Sequence, residues 1–238
     1  VTLCIAQQPT AALSPLKLLV RYFMIPRESA RMSELDTNNS MMQSPLHYLK
    51  GQSASDQAKN TDWGLTVTET NHGCYLNLRG DANHADFAAS IKAVLNLALP
   101  VAVSTYASND SAALFWLGPD EWMIVSSQSA ETLQAALRHT LRGHVSIVDV
   151  TGGQTQINLR GFSVPMVLKK ASGYDFESWT LDDADTKHCV QTNFAKATAL
   201  VSANADGSIN LTIRRSFADY IAQWLLDAGR EHGCLIPG

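Results

Sequence analysis

The 238-residue chain is short of most features that announce a function. Basic charge is not in excess: eighteen Lys plus Arg stand against twenty-two Asp plus Glu, for a formal net charge of −4. That balance argues against a nucleic-acid phosphate backbone as partner and against a polybasic membrane anchor. Cysteines are few and far apart (Cys4, Cys74, Cys189 and Cys234), with no C-x-x-C pair and no histidine at zinc-finger spacing. A disulfide framework or a zinc ribbon is therefore not expected, and a reduced, cytoplasmic setting is. Long hydrophobic runs are missing as well. The most apolar stretch, Leu16 to Ile25, is interrupted by Lys17 and Arg21, and reads as neither signal peptide nor membrane span. Nor does the chain contain a P-loop, G-x-G-x-x-G, G-x-S-x-G or H-E-x-x-H, so the common routes to phosphate, dinucleotide, acyl or zinc chemistry are absent.

What the chain does have is enough apolar residue to fold: 45% are hydrophobic and 17% charged, a composition suited to a globular core. Residues 1–43 are expected to be a poorly ordered extension, because Arg27 to Lys59 is rich in Ser, Asn, Gln and Asp and the folded part is expected to begin near Ser44. Residues 44–62 read as loop or linker. From Trp63 onward the hydrophobic period switches repeatedly between two and three to four, the pattern of strands alternating with helices.

The order of those elements is informative. Leu65–Glu69 and Cys74–Leu78 are predicted to form a hairpin around Asn71-His72-Gly73. A helix over Ala85–Leu99 would bury Phe87, Ile91, Val94 and Leu95, with Pro100 stopping it. Ser111–Leu117 and Glu121–Ser126 predict a second hairpin about Gly118-Pro119-Asp120, and Ser129 should cap the next helix. The sequence then starts over. Val145–Val150 and Gln154–Leu159 predict a third hairpin about Thr151-Gly152-Gly153, followed by a short helix from Ser163 with Pro165 in its first turn. Thr198–Ser202 and Ile209–Ile213 predict a fourth, and a last helix opens at Ser216 with Asp219 in a capping-box-like position, burying Phe217, Ile221 and Leu225. Asn77-Leu78-Arg79-Gly80 and Asn158-Leu159-Arg160-Gly161 close equivalent strands, Gly161 lying 81 positions beyond Gly80. The expected fold is α+β: two related hairpin-helix-hairpin-helix halves, residues 63–143 and 144–238, sharing one core of antiparallel sheet packed with helices.

Candidate site residues are few. The seven histidines are dispersed, and His188-Cys189, adjacent on a strand, point to opposite faces and are a poor metal pair. Asp182, Asp183 and Asp185 lack the Gly and Glu of an EF-hand, with Lys187 and Asn193 at the positions concerned, and read as a solvated acidic loop. No catalytic, cofactor-binding or metal-binding residue is assigned. In Phe115 to Val125 both faces of the hairpin are apolar, so it is covered either by this chain's own helices and sheet or, on one face, by another chain. Trp116 and Trp122 are expected to part company there, one in the core and one toward a partner. Arg214 and Arg215, before a helix start, are the other candidate interface residues, able to hold a carboxylate or phosphate.

The run Trp116-Leu117-Gly118-Pro119-Asp120-Glu121-Trp122, then Val148-Asp149-Val150-Thr151, Cys189-Val190-Gln191-Thr192, and Arg215-Ser216-Phe217-Ala218-Asp219-Tyr220 with Trp224-Leu225 and Arg230-Glu231, resembles in order and spacing the gamma subunit of heterotetrameric sarcosine oxidase, over roughly Trp63 to Gly233. That family is similar in fold to the tetrahydrofolate-binding T-protein of the glycine cleavage system. The resemblance implies a non-catalytic cytoplasmic subunit without a cofactor of its own. Its larger partner subunits would carry flavins, NAD and tetrahydrofolate and oxidatively demethylate sarcosine, a step of sarcosine catabolism and one-carbon metabolism. Tyr174 to His188 departs from the family's pattern, being acidic and without Pro or Gly. Two alternatives stay open: a stand-alone folate-binding protein of the T-protein fold, and the small subunit of an oxidase for another N-methylated amino acid.

Overall fold

The structure, a computed structural model, describes residues 44–56, 63–179 and 187–238. The expected extension 1–43 and the acidic positions Asp182, Asp183 and Asp185 lie outside the described residues.

Alternating sequences become strands in two sheets. One contains β1 (Ser53–Ala54), β2 (Leu65–Thr70), β8 (Gln154–Arg160), β9 (Cys189–Phe194), β10 (Ala197–Ala203), β11 (Ile209–Arg214) and β12 (Cys234–Leu235), in the spatial order β1-β12-β2-β8-β11-β10-β9. The other contains β3 (Cys74–Arg79), β4 (Tyr106–Ser108), β5 (Ala112–Gly118), β6 (Glu121–Ser126) and β7 (Ser146–Asp149), in the order β4-β5-β6-β3-β7. Every named pairing is antiparallel except β12 with β2. Helices α1 (Ala85–Leu95) and α2 (Ala130–Thr140) cover the outer face of the five-stranded sheet, burying Phe87, Ile91, Leu133 and Leu137 against Leu76, Leu78, Leu114 and Ile124. Helices α3 (Val164–Ala171) and α4 (Ala218–Ala228) do the same for the seven-stranded sheet, setting Val167, Leu168, Ile221 and Leu225 on Ile157, Leu159, Val201 and Leu211. The inner faces of the sheets meet through Tyr75, Tyr106, Phe115, Val125, Cys189 and Leu200. The α+β class and the repeat hold, with three apolar clusters in place of one.

Two of the four predicted hairpins do not form. β2 leaves its sequence neighbour β3 to pair with β8, and β7 leaves β8 to pair with β3. The first strand of each half thus completes the sheet of the other half, a reciprocal exchange that makes β2-β8-β11-β10-β9 and β7-β3-β6-β5-β4 equivalent series. The repeated tetrapeptide acquires a physical reason. Arg79 at the end of β3 pairs with Asp120 in the β5–β6 turn at 2.9 Å, and Arg160 at the end of β8 pairs with Asp206 in the β10–β11 turn. Gly80 and Gly161 follow at points of close approach. A Cβ on Gly80 would lie 2.3 Å from the Phe87 ring, and one on Gly161, whose φ is +123°, would lie 2.1 Å from the Gly64 carbonyl oxygen.

Local expectations fared unevenly. Ser129 caps α2, its hydroxyl accepting from the Thr132 N–H. α1 ends at Leu95 because Asn96 turns left-handed at φ 54°, well before Pro100. α4 is entered through a 3₁₀ turn at Arg215–Phe217 without a side-chain cap from Ser216, and Phe217, expected inside, is exposed. The stretch expected as linker packs where it is described: Leu46 and Leu49 enter the core on the seven-stranded sheet's side, and β1 pairs with β12.

Candidate functional site

The aromatic hairpin β5–β6 lies at the centre of the first half. Trp116 and Trp122 are direct cross-strand partners, so they share one face, and the expectation that alternation separates them is corrected. The register sets both toward α1 and α2. Trp122 is 0% exposed, its ring 5.5 Å from that of Phe87 and its indole N–H donating to the Pro100 carbonyl at 2.8 Å. Such a side chain offers another chain nothing to touch, and Trp122 is withdrawn as an interface candidate; Trp116 is only partly buried. The opposite face, Phe115, Val125 and Met123, meets Cys189 and Leu200 of the seven-stranded sheet. Both apolar faces are covered within this chain.

Arg214 and Arg215 lie on a shallow surface with Ser216, Pro45, Gly152 and Gly153. Arg214 is exposed and Arg215 half-buried; the two stand apart from Trp116, so the four candidate residues do not make one site.

His188 and Cys189 go separate ways. The imidazole stacks on Trp179 at 6.0 Å between centroids, while the Cys189 thiol, buried, donates to the Thr105 carbonyl at 3.2 Å. Burial pushes the thiols of Cys189 and Cys234 up to about 12 and raises that of Cys74. These cysteines therefore stay protonated near neutral pH, as packing residues rather than nucleophiles. Among the described residues no group of three or more His, Cys, Asp or Glu is placed to hold a metal ion.

An apolar recess in the second half was not foreseen. It measures about 660 Å³ and runs along α3 from Gly161 to Ser172, walled on one side by Tyr174, Phe176 and Trp179 and on the other by the β10–β11 turn. The three aromatic rings pack on one another at 5.0, 5.8 and 5.1 Å, forming a ridge rather than an open cage. Phe162 lines the recess and is 64% accessible; Met166, on α3 but outside the lining, is 44% accessible. A recess at the corresponding strand end and hairpin tip of the first half, about 730 Å³, is lined by Arg79, Gly80, Asp81, Asn83, Asp120 and His144. A signal was present in the sequence: at the 81-residue offset, Asp81 corresponds to Phe162 and Ala85 to Met166, an apolar gain at a solvent-facing helix start.

The fold defines a class first: a two-part α+β architecture shared with two solved structures. The glycine cleavage system aminomethyltransferase T of Bartonella henselae superposes with a TM-score of 0.51 at 13% identity, over 80% of this chain and 58% of that one. A chain of the heterotetrameric sarcosine oxidase from Corynebacterium sp. U-96, solved in complex with pyrrole 2-carboxylate, superposes with a TM-score of 0.66 at 22% identity, over 79% of this chain and 94% of that one. Sequence comparison then narrows the class. The family model described as sarcosine oxidase, gamma subunit family matches residues 79–231. The sarcosine oxidase subunit gamma of Corynebacterium sp. strain U-96 is 27% identical over 176 residues, 70% of this chain and 80% of that protein, and that of strain P-1 is 26% identical over 196 residues, 82% and 93%. The chain belongs to the sarcosine oxidase gamma subunit family, and the expectation of a gamma-type subunit of that oxidoreductase holds.

Proposed function

We propose that this chain acts as a non-catalytic subunit, assembling with larger subunits into a heterotetramer that oxidatively demethylates sarcosine in the cytoplasm. The observation that carries the reading is the family match, which runs from the end of β3 to beyond α4 and so spans both halves of the fold. The buried chemistry agrees with a supporting role: the nucleophilic side chains of the core, Cys189 and Cys234, are held as neutral thiols. Flavins, NAD and tetrahydrofolate would then reside in the larger subunits, and this chain would supply a scaffold surface.

The test is co-expression with and without the larger subunits. The isolated chain should be colourless, retain no flavin and turn over no sarcosine. The co-expressed assembly should be yellow, elute with this chain at fixed stoichiometry and oxidise sarcosine. Stoichiometric flavin on the single chain, or a fully active complex from which it is absent, contradicts the reading. Titration with tetrahydrofolate addresses the alternative of a folate-binding protein, and a panel of N-methylated amino acids addresses the substrate of the whole.

A further inference from the structure

We propose that the recess along α3 is the seat on which a larger subunit docks, and that it receives an apolar segment carrying a basic residue beside its anchor; this rests on the assembly reading above. The internal repeat supplies the comparison that carries it. Both halves have a recess beside a Gly-terminated strand, the segment leading into a helix and the tip of a hairpin, and the first half lines that part with Asp81, Asn83 and Asp120. The fold therefore does not require apolar residues there. The second half nevertheless sets Phe162 and Met166 into water and lines the recess with Pro165, Leu168, Phe176 and Trp179. Leaving apolar side chains of this size in water forgoes their burial, about 25 cal/mol for each Å², and clustered exposed aromatics mark interaction surfaces.

Charge sets the chemistry of the occupant. Lys169 is already taken by Glu177, at 2.6 Å. Asp175, also lining the recess, caps the following turn through the Glu177 N–H at 3.0 Å and has no cation at ion-pair distance among the described residues. The recess thus keeps one carboxylate in excess on an apolar floor. Its complement is an aliphatic or aromatic anchor with a Lys or Arg alongside, the combination that hot spots of protein interfaces favour.

The test measures affinity of the full-length chain for the purified larger subunits, together with melting of the chain alone. The double variant Phe162→Asp/Met166→Asp should melt near the wild type, since both side chains are exposed, and weaken binding by about 30-fold or more, the fold-change of a hot spot. Asp175→Lys, at an exposed residue, should weaken binding by about 5- to 10-fold at low salt and less at high salt. Asp81→Ala, in the polar counterpart, should leave binding unchanged. Wild-type affinity in the folded double variant and in Asp175→Lys overturns the proposal. So does a double variant that melts much lower yet binds normally, which would make the patch part of this chain's own packing. A wild-type chain that fails to bind the larger subunits at all overturns the assembly reading instead.

Discussion

At the start of α1 the chain turns Asp81, Asn83 and His84 to water; at the same point of the second half, the start of α3, it turns out Phe162, Pro165 and Met166. Behind those faces the two halves are alike. Each has an Arg locked to the Asp of a hairpin turn, a glycine at a close approach and two helices on the outer face of a sheet. The contrast teaches which residues serve the frame and which serve something outside it. Features repeated in both halves satisfy needs of folding. Features present in one half alone, at positions facing solvent, answer to another demand.

The comparison breaks most violently if the halves are parted. Because β2 completes the second half's sheet and β7 the first's, fragments 44–143 and 144–238 should each lack native near-ultraviolet dichroism, and regain it on mixing if they fold at all. A fragment that folds alone would show that strand exchange is dispensable. The next largest effect falls within one half. Trp122→Ala should cost roughly 3–5 kcal/mol in denaturant unfolding, since it empties the centre of the core and strands the Pro100 carbonyl. Trp116→Ala, on the same face but partly open to water, should cost clearly less. Equal losses would mean that the hairpin's register differs from Trp116 opposite Trp122.

The elements and their order were legible in the sequence because period and capping are local. Ser129 before Thr132, Pro165 in a first turn and Gly118-Pro119-Asp120 between two apolar runs each act within a few residues. Strand partnership was not legible. Asn71-His72-Gly73 has the composition of a hairpin turn, yet Gly73 is there because a Cβ would lie 2.3 Å from the carbonyl oxygens of Ser127 and Gln128. Likewise Thr151-Gly152-Gly153 is a 3₁₀ turn in which Thr151 donates to Asp149, bridging two sheets. Both readings failed for one reason: turn chemistry records how the chain bends, while pairing depends on residues about 80 positions away. The candidate site followed the same rule. Burial of Trp122 and exposure of Phe162 are consequences of tertiary placement, and only the repeat offset hinted at the second.

Smaller effects sharpen the comparison of helix starts. Ser129→Ala should cost about 1 kcal/mol, as loss of an N-cap does, whereas Ser216→Ala should fall within about 0.5 kcal/mol of the wild type, because α4 takes no cap from it. The smallest concerns acid. Hydrogen bonds from Ser208, and then the Arg160 guanidinium, hold the Asp206 carboxyl below the usual carboxylate range. Its contribution is present above the unfolded value of about 3.9 and is lost as pH falls through the lowered folded one. Asp206→Asn should therefore flatten the acid limb of the stability curve slightly, by less than about 1 kcal/mol for so exposed a pair. A variant whose acid limb is steeper than the wild type's would reverse that sign.

The central claim is that two equivalent halves carry different duties, one closed on itself and one open to a partner. Hydrogen exchange, followed by mass spectrometry on the chain alone and on the assembled oxidase, tests it most directly. The account predicts slowed exchange on assembly across Gly161–Trp179, and unchanged exchange across Gly80–Phe87. Protection confined to the first half's recess, or to neither, would contradict it.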